Sequence, residues 1–322
     1  MARSLDARRE LIETAIRAAV GATDPVELYG PAQYVLEGGG KRLRPLLVLL
    51  AAEMHGGSVE TALPAGVSVE VFHNFTLVHD DIMDNADTRR GRETVHLRWD
   101  EPTAILVGDL LMGIAYEGLA HLPPEGVPAA LGSFSVMVRQ LCEGQTLDMA
   151  FETRSDVTLD EYVRMIDGKT GALLGCALQL GAIAAGAGAE DRANMLLAGR
   201  DIGRAFQIQD DLLDLTADSA DWGKQVGGDV LEGKRTWLLI SALERAQGDD
   251  LALLKRVMAG HVKVDEIPAV RGTMESLGVL KDTADAVILH SEAAIGHLRA
   301  APQSPARETV IELVRSMQAR AH

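Results

Sequence analysis

Aromatic residues are scarce in this chain of 322 residues, where phenylalanine, tryptophan and tyrosine together make up 4%. Strands favour aromatic and β-branched side chains, whereas the alanine and leucine that dominate here favour helices. No proline occurs between Pro128 and Pro268, so the middle of the chain can form long unbroken helices. These absences predict an all-α fold.

Cysteine and positive charge are also in short supply. Cys142 and Cys176 are the two cysteines, and their spacing suggests neither a disulfide framework nor a zinc site, which favours a cytoplasmic protein. The net charge of −16 argues against nucleic acid as a partner, because phosphate backbones are bound through a surplus of lysine and arginine. A phosphate ligand would therefore need a local basic cluster.

Export and membrane signals are weak. The charged N-terminus, residues 1–6, does not resemble a signal peptide. Residues 170–189 are uncharged over about the length that a bilayer requires, but they include Gln179 and five glycines. We interpret this stretch as a buried helix in which Gly171 and Gly175 let another helix or a ligand come close, and we expect no membrane span. No linker divides the chain, so residues 1–322 are expected to form one domain.

An aspartate-rich pattern occurs twice, each time with spacing i, i+1 and i+4. The two copies are Asp80, Asp81 and Asp84, and Asp210, Asp211 and Asp214. On a helix with ~3.6 residues per turn, we expect each copy to present three carboxylates to one spot. Such a cluster is costly in apolar surroundings unless a cation neutralises it, and Mg²⁺ bridges carboxylates to phosphate oxygens. The alternative is a pair of solvated acidic helix ends, which the apolar flanks of both copies argue against.

Basic residues lie near the first copy. Gly38–Gly40 precede Lys41, Arg42 and Arg44, and Pro45 can begin the apolar helix that follows. Glycines before a helix N-terminus expose amide groups, so this segment is suited to hold an anion, although such a cluster is often just a loop.

A second basic group follows the predicted helix from Ser68 to Asp84. Arg89, Arg90 and Arg92 form either an exposed salt-bridged turn or a set of phosphate ligands. His73 lies two turns before Asp80 on nearly the same face, and it is either a core residue or a ligand.

The second half repeats this order of apolar helix, aspartates and cations. Thr158 to Glu161 predicts a capping box, and Lys169 and Thr170 lie between glycines in what we expect to be a second anion-binding turn. Three polar side chains lie among apolar positions of the preceding helix and must find partners: Glu143, Gln145 and Asp148. Gln207 precedes the second aspartate copy, and Lys224 and Lys234 follow it.

With these motifs in one chain, the sequence resembles the polyprenyl synthetase family of trans-prenyltransferases over roughly residues 36 to 240. The resemblance implies an all-helical bundle of the isoprenoid synthase type around a deep central cavity, usually a homodimer. It implies a transferase that joins isopentenyl diphosphate head to tail to an allylic diphosphate with the help of Mg²⁺, of which three ions are expected.

The resemblance also implies roles for individual residues. By this resemblance, the metal ions are bound by Asp80, Asp84, Asp210 and Asp214, and Asp81 supports them. The other expected catalytic residues are Asp211, Lys169 and Lys224. The allylic diphosphate is held by Arg89, Lys169, Thr170, Gln207, Lys224 and Lys234. The isopentenyl diphosphate is held by Lys41, Arg44, His73 and Arg90.

Product length in the resembling family depends on bulky residues four and five positions before the first aspartate. Here these are Thr76 and Phe75, and Phe72 lies one turn further from the cluster. One aromatic residue beside a threonine indicates a twenty-carbon product, geranylgeranyl diphosphate, with fifteen-carbon farnesyl diphosphate as the alternative. Phe75 points about 140° away from Asp80 around the helix, so an ordinary core role is the competing interpretation.

Two other functions are compatible with parts of the pattern. A terpene cyclase also uses an aspartate-rich helix and Mg²⁺, but it would not need the second basic set of Lys41, Arg44 and Arg90. A catalytically silent partner subunit would usually lack one aspartate cluster, and both are intact here.

Overall fold

The computed structural model describes residues 4–21, 23–217 and 226–318, and its architecture is all-α, as predicted. The first helices are α1 (Leu5–Ala19), α2 (Val26–Leu36), α3 (Leu43–Met54), α4 (Val59–Met83), α5 (Val95–Arg98), α6 (Glu101–Leu119) and α7 (Val127–Phe151). Between α4 and α5, the short strands β1 (Thr88–Arg89) and β2 (Arg92–Glu93) pair antiparallel, with Thr88 opposite Glu93.

The chain then continues through α8 (Leu159–Ile166), a π-helical turn (Asp167–Gly171), α9 (Ala172–Ala184) and α10 (Ala189–Thr216). The remaining elements are α11 (Gly228–Glu232), α12 (Trp237–Arg245), α13 (Gly248–Met258), a 3₁₀ turn (Val264–Glu266), α14 (Ile267–Ser276), α15 (Val279–Ala300) and α16 (Pro305–Gln318).

Several helix starts follow directly from the local sequence. Thr158 and Glu161 form the predicted capping box of α8, and the Ser304 hydroxyl accepts from the amide of Arg307 at the start of α16. The predicted start of α4 at Ser68 is wrong. The helix begins after Ser58, whose hydroxyl accepts from the Thr61 amide, and it continues through Pro64, which removes one donor near the start without ending the helix.

The chain forms two compact units. The first comprises residues 1–135, 176–196 and 301–310. In this unit α4 packs against α1, α3 and α6, and its buried face joins the apolar residues of α3. The first aspartate cluster thus lies at the end of a helix that the core of this unit holds on several sides.

The second unit comprises residues 136–175, 197–300 and 311–322. Here helices cross at glycines: a Cβ on Gly203 would lie 2.6 Å from the Cα of Gly171, and one on Gly199 would lie 2.5 Å from the Cα of Gly175. The prediction that Gly171 and Gly175 allow close approach is confirmed. Residues 172–178 are buried, as expected for this stretch.

One described helix, α6, is long and apolar enough to cross a membrane by length and composition alone. A core helix that never enters a membrane can meet the same criterion of length and composition. The stretch that the sequence singled out, residues 170–189, is a different one.

Candidate active site

The first aspartate cluster lies at the C-terminal end of α4. The amide of Asp84 caps the helix by donating to the carbonyl oxygen of Asp80 at 2.8 Å. Asp81 is 5% exposed, and its Oδ1 accepts from Arg89 Nε at 2.8 Å and Nη2 at 2.6 Å. Burial raises the pKa of Asp81, and the Arg89 guanidinium offsets part of this effect. Asp81 is therefore paired within the protein. Asp80 and Asp84 are four residues apart, which is about one helical turn.

The second aspartate cluster lies near the end of α10. Asp211 is 4% exposed, and its Oδ2 accepts from the Tyr162 hydroxyl at 2.6 Å and from the Trp237 amide at 3.1 Å. Burial, reinforced by the nearby Asp229 carboxylate, raises the pKa of Asp211 to about 7. Asp214 Oδ2 accepts from the Asp229 amide at 3.1 Å. The middle aspartate is again paired within the protein.

The expectation that three carboxylates meet at one spot is wrong for both clusters. Among the residues that the structure describes, no group of three or more histidine, cysteine, aspartate or glutamate side chains is placed to hold a metal. On a helix, residue i+1 lies ~100° around the axis from residue i, whereas residue i+4 lies only ~40° from it. The middle aspartates, Asp81 and Asp211, contact Arg89 and Tyr162.

The remaining pairs still suit Mg²⁺. This ion is typically held by one or two carboxylates and completes its coordination with water and phosphate oxygens rather than with an all-protein cage. Asp80 with Asp84, and Asp210 with Asp214, supply hard oxygen donors at i and i+4 spacing. The donor chemistry fits the expected cofactor.

The two strands place Arg89 and Arg90 beside the first cluster. Arg90 and Gly91 form the turn with φ values of 53° and 73°, the left-handed backbone of a tight two-residue hairpin. Arg90 Nη1 donates to the Gly39 carbonyl oxygen, and a Cβ on Gly40 would lie 3.2 Å from the Arg90 guanidinium carbon. The glycine segment therefore accommodates an arginine from the hairpin.

Arg44 and His73 also meet in this unit, with Arg44 Nη1 3.2 Å from His73 Nε2. Burial lowers the pKa of His73 far below its usual value, and the charges of Arg44 and Arg90 lower it further. His73 is therefore neutral and accepts this hydrogen bond. Arg44 Nε is buried and has no hydrogen-bond partner among the described residues, which leaves a donor for an anion. Lys41 is exposed.

Arg42, the middle cation of the basic segment, has a structural role that the sequence analysis did not predict. Its backbone is left-handed, with φ 48°, and its side chain lies 2.7 Å from both Glu13 Oε1 and Glu70 Oε1. The buried Glu70 carboxylate also acts on Arg44, where it opposes the lowering of the pKa by burial. Glu70 lies three residues before His73 in an apolar helix. A carboxylate at such a position needs a partner, and this could have indicated the contact with Arg42.

Tyr34 was missed as well. The guanidinium carbon of Arg92 lies 3.7 Å from the centre of its ring and that of Arg98 lies 4.4 Å from it, distances typical of cation–π contacts. The Tyr34 hydroxyl donates to the Glu93 carbonyl oxygen at 2.9 Å. These contacts hold β2, and through it the arginine hairpin. Nothing in the sequence around Tyr34 indicated these contacts with arginines.

In the second unit, Lys169 pairs with Asp148, and Thr170 is connected to the second aspartate cluster through Gln207. Lys169 Nζ donates to Asp148 Oδ2 at 2.5 Å, which gives Asp148 its predicted partner. Thr170 Oγ1 donates to Gln207 Oε1 at 3.1 Å, and Gln207 Nε2 donates to Asp211 Oδ1 at 3.3 Å. A hydrogen-bonded chain thus connects Thr170 to the second cluster.

The predicted anion-binding turn at residues 167–171 is wrong in its backbone. The π-helical turn continues directly from α8 into α9, so its amides belong to a continuous helix rather than to an open loop. A Cβ on Gly168 would lie 2.8 Å from the Cα of Gly144, which shows that the glycine allows two helices to cross. An anion bound at this turn would therefore contact side chains rather than backbone amides.

Lys234 is another predicted cation that the structure describes in the second unit. Its Nζ lies 3.6 Å from Asp229 Oδ1, and although burial lowers its pKa, the carboxylates of Asp229, Asp211 and Asp148 outweigh that effect and raise it. Lys234 is therefore protonated near neutral pH. Lys224, which was predicted to act with it, lies outside the described residues.

The predicted chain-length residues lie on α4 before the first cluster. Phe72 is fully buried, and the centre of its ring lies 5.1 Å from that of Phe75, which is half-buried. Thr76 is buried, and its hydroxyl donates to the His73 carbonyl oxygen at 2.8 Å.

Comparison with known proteins gives consistent results. A model of the polyprenyl synthetase family matches residues 25–274. The chain is 42% identical over 275 residues to a geranylgeranyl diphosphate synthase of Methanosarcina mazei, covering 85% of this chain and 83% of that protein. It is 42% identical over 290 residues to a geranylfarnesyl diphosphate synthase of Natronomonas pharaonis, covering 84% and 83%. A crystal structure of geranylgeranyl pyrophosphate synthetase from Pyrococcus horikoshii matches with a TM-score of 0.91 at 36% identity, covering 98% of this chain and 96% of that one.

Proposed function

The chain belongs to the polyprenyl synthetase family and is a short-chain trans-prenyltransferase, and on that premise we propose that it makes geranylgeranyl diphosphate in a Mg²⁺-dependent reaction. The observation that carries the proposal is the same in both aspartate clusters: the middle carboxylate is paired within the protein, and the outer two share the spacing of one helical turn. The outer two carboxylates of each cluster are the oxygen donors that we assign to a metal and its diphosphate.

We assign metal binding to Asp80, Asp84, Asp210 and Asp214, and three ions fit the resemblance. When bound, Mg²⁺ neutralises the allylic diphosphate so that it can depart as an anion. Asp81 and Asp211 hold their helix ends to neighbouring elements and so orient the outer carboxylates.

Cations of the protein hold the two diphosphates. Arg89, Lys169 and Lys234, with Thr170, Gln207 and Lys224, would bind the allylic substrate. Arg44, His73, Arg90 and Lys41 would bind isopentenyl diphosphate. Guanidinium groups bind phosphate oxygens in bidentate fashion, and the buried Arg44 Nε, which has no partner in the described part of the chain, is suited to that use.

The chemistry needs no protein nucleophile. Loss of diphosphate leaves an allylic cation, which the double bond of isopentenyl diphosphate attacks to form the new carbon–carbon bond. The proton lost afterwards can pass to the departed diphosphate, so no protein base is required. The protein positions both substrates, stabilises the developing charge, and excludes water from the cation with apolar side chains.

The twenty-carbon product is the finer part of the proposal. It rests on one half-buried aromatic ring, Phe75, beside the smaller Thr76 before the first cluster. The relatives from Methanosarcina mazei and Natronomonas pharaonis, both 42% identical, are named for products of different length, so overall similarity does not decide this point. Farnesyl diphosphate is the alternative product.

We also propose a cytoplasmic homodimer. Ile105 and Leu106 on α6 are 41% and 58% exposed, which gives this helix an apolar surface that a second copy could cover. Both cysteines are free, as is usual in a reducing compartment.

The decisive test is an assay of the purified protein with isopentenyl diphosphate and dimethylallyl diphosphate, with and without Mg²⁺, followed by chromatography of the dephosphorylated products. We expect geranylgeraniol, and only when Mg²⁺ is present. Farnesol would establish the alternative product length. Conversion of an allylic diphosphate alone to a hydrocarbon would indicate a cyclase, and no turnover under any of these conditions would contradict the proposal.

A further inference from the structure

In a chain with few aromatic residues, three of the five phenylalanines lie in one continuous row of rings in the first unit. In order, the rings are those of Tyr116, Phe134, Phe72, Phe75 and His79. Successive ring centres lie 5.0, 5.1, 5.1 and 4.8 Å apart, within the range of favourable aromatic contacts.

Three of these rings belong to α4. Phe72, Phe75 and His79 have the spacing i, i+3 and i+7, so they lie on one face of the helix. Phe75 is the middle ring of the three. On one side it contacts Phe72, which is fully buried and packed against Phe134, and on the other side it contacts His79. The position of the Phe75 ring therefore depends on whether the rings of Phe72 and His79 are held in place.

His79 is fixed by α6. Its Nε2 lies 3.3 Å from the carbonyl oxygen of Ile105, so Nε2 carries the hydrogen that is donated. A Cβ on Gly108 would lie 2.2 Å from His79 Nε2 and 2.5 Å from Cδ2, closer than any side-chain atom can come. The imidazole thus occupies the space that any other residue at position 108 would fill.

We propose that His79, seated against Gly108, is a positioning residue that holds Phe75 in place and thereby sets the length of the product. The inference rests on the proposed function, in which the growing chain meets Phe75. His79 touches neither substrate in this proposal. It acts by closing the space between α4 and α6 into which the Phe75 ring would otherwise turn.

A purely structural role for His79 makes a different prediction. If the imidazole only packs α4 against α6, its loss lowers stability or turnover and leaves the distribution of products unchanged. Product length therefore separates the two roles, and it can be measured even when a variant is slow.

The experiment compares the products of five variants, supplied with dimethylallyl diphosphate, excess isopentenyl diphosphate and Mg²⁺. His79→Ala removes the ring, and His79→Gln keeps a donor for the Ile105 carbonyl oxygen without the ring. Gly108→Ala forces the imidazole to move. Gly113→Ala is the matched control on the same helix, because a Cβ there has nothing within 4 Å. Phe75→Ala tests the site on which His79 would act. Gel filtration checks that the two alanine variants on α6 keep the oligomeric state of the parent.

We expect His79→Ala, His79→Gln and Gly108→Ala to raise the ratio of twenty-five-carbon to twenty-carbon product roughly tenfold, the effect that the loss of one aromatic contact can produce. Phe75→Ala should lengthen the product by at least one five-carbon unit, and Gly113→Ala should match the parent.

The possible failures are distinguishable. If Phe75→Ala lengthens the product while both His79 variants and Gly108→Ala keep that of the parent, the inference is overturned and the proposed function stands. If Phe75→Ala also keeps the product of the parent, both the inference and the assignment of Phe75 are wrong, although prenyl transfer is not. If the parent makes no prenyl diphosphate, the proposed function itself fails.

Discussion

The two aspartate clusters have the same spacing, but their middle aspartates are held in different ways. Asp81 is paired with the guanidinium of Arg89, whose side chain is 40% exposed. Asp211 is held by the buried hydroxyl of Tyr162 and by the backbone amide of the partly buried Trp237, both neutral donors. The first pairing depends on a charged side chain on a hairpin, and the second depends on the core of its unit.

The difference lies in the partners, since Asp81 and Asp211 are about equally buried, at 5% and 4% exposed, and burial raises the pKa of both. Asp81 is paired with a partly exposed charge, whereas Asp211 accepts several hydrogen bonds from neutral groups. Arg89 could exchange Asp81 for a phosphate oxygen, because both are anionic oxygen acceptors. Tyr162 has no such alternative, so the second cluster has a more rigid support.

The largest effect should come from the outer aspartates. Asp80→Asn and Asp210→Asn each replace a proposed metal ligand with a neutral amide of similar size. We expect turnover to fall ~10²-fold or more in both variants, because each removes an electrostatic interaction needed in the transition state. Steady-state kinetics measures this, and circular dichroism checks the fold. Turnover within about threefold of the parent in both variants would contradict the mechanism.

Arg44 tests whether the basic set of the first unit serves one substrate. Arg44→Ala should raise the KM for isopentenyl diphosphate roughly tenfold or more, since a hydrogen bond to a charged group is worth about 1.5–3 kcal/mol. The KM for the allylic substrate should change much less. Equal changes in the two KM values would refute the assignment of Arg44 to isopentenyl diphosphate.

The supports of the two middle aspartates should differ in stability. Tyr162→Phe removes a donor from a buried carboxylate, so we expect the free energy of unfolding to fall by about 1–3 kcal/mol. Arg89→Gln breaks a partly exposed pair and should lower it by less than about 1 kcal/mol. Urea denaturation of both variants without metal measures the difference, and a larger loss for Arg89→Gln would reverse the comparison.

A further expected effect is a pH dependence of the free energy of unfolding. The pKa of Asp211 is raised from 3.8 to about 7, so the folded chain binds more protons than the unfolded chain between these values. The free energy of unfolding should therefore fall as the pH rises from about 4 to about 7, by at most ~1.4 kcal/mol per pH unit. Asp211→Asn lacks this group and should show a flatter profile in metal-free denaturation experiments. An unchanged slope would mean that Asp211 is not the titrating group.

The sequence predicted local features well, but it did not predict which side chains form hydrogen bonds with each other. Capping residues predicted the start of α8, and small residues predicted where helices cross. The same spacing suggested that Asp81 and Asp211 belong with their neighbours, but their partners, Arg89 and Tyr162, lie 8 and 49 residues away along the chain. No periodicity in the sequence records a contact of that kind.

The sequence by itself determined the all-α architecture, the two aspartate-rich helix ends and the family, because composition, helical period and short motifs are local properties of the chain. Only the tertiary structure decided the partners of Asp81 and Asp211, the pairing of Arg42 with Glu13 and Glu70, and the contact of His79 with Gly108. The physical reason is that burial and hydrogen-bond partners are set by packing between distant segments, and packing gives chemically identical residues different environments.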